Sequence, residues 1–126
     1  MMVRSVVGFA LVALTLGVVS SAQAQDAAAV KRGKMLWVNR GCGSCHGVGK
    51  KMAGPDLAGV EVRRPREWLD RWLKETDAMI ASDSIAMAMV AEWKGIKMPQ
   101  QPLTDPDIEA LLAYIRGEEA RMASKK

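Results

Sequence analysis

Apolar and polar positions divide the chain into one continuous apolar run followed by four amphipathic stretches. The run, Val6 to Val19, is 14 residues long and is interrupted only by Gly8, Thr15 and Gly17. Arg4 precedes it, and Ser20 to Ala24 closes on the small-x-small sequence Ala22-Gln23-Ala24. A basic start, an apolar segment and a small-residue cleavage site are the parts of a secretory signal. Fourteen residues are also too few to cross a hydrocarbon core as a helix. Residues 1–24 are therefore expected to be a signal peptide cut after Ala24, leaving 25–126 as a single domain. The competing reading takes Met1 to Ala24 as one longer, uncleaved anchor helix.

The stretches that follow read as helices, with no strand among them. Asp26 can cap a first helix through Val38, with Val30, Gly33, Lys34 and Trp37 near one face and Gly41 ending it. Pro65 suits the first position of a second helix, whose Trp68, Leu69, Trp72 and Leu73 recur at helical spacing. Asp83 can cap a third, carrying an i, i+4, i+8 stripe of Ile85, Met89 and Trp93. The fourth starts at Thr104-Asp105-Pro106 and bears Ile108, Leu111, Leu112 and Ile115, with a stop expected at Gly117 and a frayed tail after it. Gly47 to Arg63 is glycine-rich and reads as loop with room for a turn or two. The fold class expected is all-α, four to five helices in one small domain.

Composition narrows what such a domain can be. Removing 24 of the 126 residues leaves 102, a size that buries only about 60–65% of its unfolded surface and leaves a marginal core. A large apolar cofactor bonded in place would fill and stabilise it. Arg4 is the only charge in the signal, so 17 basic residues then face 14 acidic ones, a mild and interspersed excess. Neither a basic stripe nor interleaved aromatics supports nucleic-acid binding. A weak positive field could steer docking onto an acidic redox partner.

The chemistry sits in Cys42-Gly43-Ser44-Cys45-His46. Two thiols three positions apart, followed at once by an imidazole, form the attachment pattern of a c-type haem. Each thiol can add to one vinyl group, and His46 is then held where a ring nitrogen can bind iron. His46 is the only histidine of the chain, so no other imidazole can serve. Thioredoxin-like redox chemistry would need a preceding strand. Tetrahedral zinc would need a fourth ligand, and a structural disulfide needs neither the spacing nor the histidine. One covalent haem c is expected, and no free cysteine remains for a disulfide framework.

With these residues in place, positions 26 to 116 resemble the class I, single-haem bacterial cytochromes c, and the resemblance implies the cytochrome c fold around the haem. Beyond the haem motif, Gly54-Pro55-Asp56-Leu57-Ala58-Gly59 is similar to the family's Gly-Pro-x-Leu-x-Gly loop, in which the proline carbonyl accepts from the haem histidine. This implies that Pro55 orients His46 and raises its basicity. Lys97-Met98-Pro99 is similar to the family's distal loop and implies that Met98 is the second axial ligand to the iron, with Met87 and Met89 next in line. Gly33, Trp37 and Tyr114 match the close crossing of the family's terminal helices. The stretch from Thr76 to Lys97 departs from the smallest members in length and in methionine content. Core packing explains it better than a thioether copper site. Trp68, Trp72, Arg63 and Arg64 carry donors suited to haem propionates, though the two tryptophans serve equally as core.

The function these residues lead to is periplasmic electron transfer on a His46/Met98-ligated haem. The protein would act as a soluble shuttle or as the cytochrome subunit of a respiratory or oxidoreductase system, and not as an enzyme. Its expected partners are redox proteins: a periplasmic or membrane-bound reductase, oxidase or dehydrogenase. No nucleic acid is expected, and no membrane insertion once the signal is cut. The alternative is a haem protein with an open distal site, gas-binding or peroxidase-like, which no second histidine or acid–base pair supports.

Overall fold

A computed structural model describes residues 16–125. Six α-helices and one 3₁₀ turn, with no strand, follow one another along these residues. They are α1 (Leu16–Asn39), a 3₁₀ turn (Cys42–Ser44), α2 (Val60–Arg63), α3 (Arg66–Lys74), α4 (Thr76–Ser82), α5 (Ser84–Glu92) and α6 (Asp105–Ala123). The all-α class holds, with two short helices beyond the four amphipathic stretches. Of the expected signal, residues 1–15 lie outside the described residues, while 16–24 belong to α1. Asp26 is therefore inside a helix and not at its start. The alanine-rich sequence on either side of it favours helix, and no breaker interrupts the run before Gly33.

The frame is the crossing of α1 over α6. Gly33 is buried there, and a Cβ built on it would lie 2.6 Å from the Ala110 carbonyl carbon and 2.7 Å from Tyr114 Cβ. The two backbones touch, which only a residue without a side chain permits. Trp37 and Tyr114 meet beside the crossing with ring centroids 5.5 Å apart, tilted by 56°. Arg32 of α1 pairs with Asp107 of α6 at 2.6 Å. On α6, Ile108, Leu111, Leu112 and Ile115 turn inward, as their spacing predicts.

Two apolar clusters result. Leu69, Leu103, Ile108, Leu111, Leu112 and Ile115 form the first, with Leu36, Trp37, Val48, Leu57 and Val60 against it. Trp72, Met79 and Ala86 form the second, with Ile80, Met89 and Met98 against it. Trp68 and Leu73 touch both and join them. Trp68 also stacks on Trp72 at 5.4 Å and 13°. Burying each such side chain contributes roughly 1.5–3 kcal/mol.

Helix boundaries differ from expectation where long-range contacts act. Pro65 caps α3 rather than opening it. The helix beyond α3 is interrupted at Glu75, and α4 then inserts Met79, fully buried, into the second cluster. No amphipathic stripe announces α4. Asp83 does cap α5, accepting from the N–H groups of Ile85 and Ala86 at 3.0 and 2.9 Å. The fully buried residue of α5 is Ala86, however, and of the expected stripe Met89 packs against the second cluster and Trp93 is half-buried, while Ile85 is 40% exposed. Gly117 does not stop α6. It lies against Val30 of α1, and the helix continues through Ala123, supported by an Arg121–Glu118 pair at 2.6 Å.

Candidate haem site

Gly41 ends the path out of α1 in the left-handed region, at φ 70°, and turns the chain into the 3₁₀ turn that holds the first cysteine. The Cys42 carbonyl accepts from the N–H groups of Cys45 and His46 at 3.2 and 2.9 Å, and Ser44 Oγ donates to the Gly41 carbonyl at 2.6 Å. The turn rests on α1, since a Cβ on Gly43 would lie 2.7 Å from Trp37 Nε1. Cys42 is half-buried and Cys45 exposed, and both thiols are unpaired. Burial pushes the Cys42 thiol above its ordinary value.

His46 Nδ1 lies 2.9 Å from the Pro55 carbonyl oxygen. A carbonyl only accepts, so Nδ1 carries the proton and donates it. In the neutral ring this tautomer leaves the lone pair on Nε2, the state a metal-binding imidazole needs. Gly54 N–H donates to the Cys45 carbonyl at 2.7 Å, and Leu57 N–H to the Gly47 carbonyl at 2.9 Å, which lays the Pro55 loop along the haem motif. Gly54 is buried against the ring, where a Cβ would lie 2.7 Å from His46 Cε1.

The loop is braced by groups that periodicity does not reveal. Asp56 Oδ1 accepts from Ala58 N–H at 2.8 Å and from Gly49 N–H at 2.7 Å. The first of these, more than any charge nearby, holds the Asp56 carboxyl below its ordinary value. Arg63 donates to the Asp56 carbonyl at 2.7 Å and to the Ala58 carbonyl. Glu119 of α6 accepts from Gly59 N–H at 2.6 Å.

Met98 lies on the connection from α5 to α6, half-buried against the second cluster. The connection leaves α5 through Lys94 and Gly95, both left-handed at φ 56° and 82°. It is tied to α4 where Gln100 Oε1 accepts from Asp77 N–H at 3.2 Å, and Leu103 anchors its far end in the first cluster. Of the rival methionines, Met87 is 47% exposed and Met89 is half-buried in the same cluster as Met98. Met79 of α4 is core of that cluster, with Met89 and Met98 packed against it, whereas Met87 of α5 faces outward. Among the propionate candidates, Arg63 bonds loop carbonyls and Arg64 stands 5.4 Å over the Trp68 ring. Trp68 Nε1 donates to Asp83 at 3.3 Å, and Trp72 is buried core.

Two unpaired thiols beside an imidazole with a free Nε2 fit a covalently attached haem, which Cys42, Cys45 and His46 would hold. The comparisons agree. The cytochrome c family model matches residues 30–118, whereas no curated protein matches the chain. A cytochrome c from Rhodothermus marinus superposes with a TM-score of 0.67 at 27% identity, covering 76% of this chain and 81% of its own. A cytochrome c domain from Pseudomonas putida gives 0.63 at 37% identity, covering 73% and 92%. An engineered Rhodothermus marinus cytochrome c bound to a carbene intermediate gives 0.62 at 25% identity, covering 75% and 80%. The chain belongs to the cytochrome c family, as a class I-like bacterial member that binds haem c covalently, its Cys42 and Cys45 fitting the attachment motif, and serves haem-based electron transfer.

Proposed function

We propose that this cytochrome is a periplasmic one-electron carrier with His46 and Met98 as the axial ligands of its iron. The observation that carries the reading is the 2.9 Å hydrogen bond from His46 Nδ1–H to Pro55, which fixes the tautomer and aims Nε2 at a ligand. Haem bound there supplies a one-electron ferrous–ferric couple. The thioether of Met98 is a soft donor that favours the ferrous state and raises the potential. Where bound haem and its apolar neighbours would exclude water, low dielectric makes every nearby dipole count for more.

Secretion follows in this reading from the signal segment 1–24, and the family is typically extracytoplasmic. No helix among the described residues is long and apolar enough to cross a membrane. The partners proposed are redox proteins of the periplasm or of the adjoining membrane, met either by a free shuttle or within a permanent complex. The open-site alternative would need a distal acid–base group, yet the one histidine is engaged by Pro55.

The test is the optical spectrum of the haem-loaded protein beside Met98→Ala. The ferric wild type is expected to show the weak far-red band of methionine sulfur on iron, and the variant to lack it. Survival of the band in Met98→Ala refutes the ligand assignment. Absence of the band from the wild type, with ready binding of carbon monoxide or cyanide, replaces the carrier by an open-site haem protein.

A further inference from the structure

The loop that carries Pro55 is fastened at both ends by the part of α6 beyond Gly117. At its start, Gly49 is left-handed at φ 76° and lies under Met122, whose Cε would be 2.8 Å from a Cβ placed there. At its end, Gly59 is left-handed at φ 69° and donates its N–H to Glu119 at 2.6 Å, across 60 residues of sequence. Asp56 closes the loop from within by accepting from Gly49 and Ala58 together. Gly54 and Leu57 fasten the inner side to Cys45 and Gly47. The outer side depends on Glu119, Asp56 and Arg63.

We infer that Glu119, acting with Asp56, is a positioning residue that holds the Pro55 carbonyl against His46 Nδ1–H and so sets the donor strength of the haem histidine. The bond it controls joins a side chain to a carbonyl nine residues away, so it is as firm as the loop is. A short Nδ1–H···O bond pushes charge onto the ring and makes Nε2 a stronger donor. A stronger donor stabilises ferric iron more than ferrous iron. Loosening the outer side of the loop lengthens the bond, weakens the donor and favours the ferrous state. The α6 extension thereby acts on the reduction potential without touching the iron's ligands.

The experiment compares haem-loaded Glu119→Ala and Glu119→Gln with wild type. Both replacements are good helix formers, so α6 persists. In Glu119→Ala the Gly59 amide exchanges faster, the His46 Nδ1–H proton resonance of the ferrous protein moves upfield, and the ferrous-to-ferric ratio at a fixed ambient potential rises severalfold, tenfold being about 59 mV for one electron. Glu119→Gln keeps an acceptor oxygen and stays near wild type in all three. Adding Asp56→Ala to Glu119→Ala changes the potential by less than the sum of the single effects, because both act through one bond. Equal shifts in the Gln and Ala variants overturn the inference in favour of a plain charge effect. An unmoved Nδ1–H resonance alongside faster Gly59 exchange also overturns it. The inference rests on His46 as proposed above, and the two fail separately: ring-current-shifted His46 resonances report ligation in every variant, whatever Glu119 does.

Discussion

Gly33→Ala tests whether the α1–α6 crossing is the structural foundation of this cytochrome. The added methyl carbon would stand 2.6 Å from the Ala110 carbonyl carbon and 2.7 Å from Tyr114 Cβ, with the Ala110 oxygen nearer still. Carbon atoms in contact rest about 3.5–4.0 Å apart, so the helices must separate by roughly 1 Å. Nothing can yield locally, because the atoms in the way are backbone and a Cβ. Separation loosens the inward contacts of α6, including Ile108 and Leu112, and strains the Trp37–Tyr114 pair and the Arg32–Asp107 bridge. Overpacking of this kind costs about 1–3 kcal/mol or more, against a gain of at most about 1 kcal/mol from alanine's helix propensity. A net loss of about 2 kcal/mol is a large fraction of the 5–15 kcal/mol that holds a small domain together. It corresponds to a melting temperature lower by roughly 8–16 °C. The assay is thermal unfolding of the haem-loaded protein followed by circular dichroism. Ala110→Gly in the same chain should restore little, since the carbonyl stays in place. A Gly33→Ala protein melting within about 2 °C of wild type would refute the backbone-contact reasoning.

Two further outcomes are expected. Arg32, followed by Thr104, holds the Asp107 carboxyl down to about 2. A lowered folded-state value stabilises the protein above the unfolded value of about 4 and loses that contribution as pH falls toward the folded value. Asp107→Asn should therefore melt lower than wild type at pH 7, with the gap closing between about pH 4 and pH 2; a gap that ignores pH contradicts the Arg32–Asp107 tie. Gly54→Ala places a methyl 2.7 Å from His46 Cε1 and 3.0 Å from Nδ1. It should cost about 1–3 kcal/mol in denaturant unfolding and weaken the Pro55 bond, and stability unchanged from wild type would show that the ring has room to shift.

How much of the site was legible depends on the reach of each interaction. Cys42, Cys45 and His46 are read from five residues because the haem's own dimensions demand that spacing. Gly41 and Asp83 are read because a left-handed turn and an N-cap are decided within a few bonds. The bond from Pro55 to His46 was expected only through a family resemblance, as no local rule joins residues nine apart. Glu119 and Met122 were missed. They lie past a glycine that marks a helix stop when read alone, and their partners stand 60 or more positions away.

The sequence by itself determined the cofactor, the all-α class and the inward faces of α3 and α6. Periodicity and motif spacing are properties of neighbouring residues, and water's rejection of apolar surface reads them the same way in any fold. Only the tertiary structure decided that α6 runs through Ala123, that α4 exists, and that α5 turns Ala86 rather than Ile85 inward. Each depends on a surface that another part of the chain presents: Val30 against Gly117, the second cluster around Met79, and Trp68 bonded to the Asp83 carboxylate that caps α5. The same reason places the control of His46 in α6, where the folded chain returns to brace the loop that orients it.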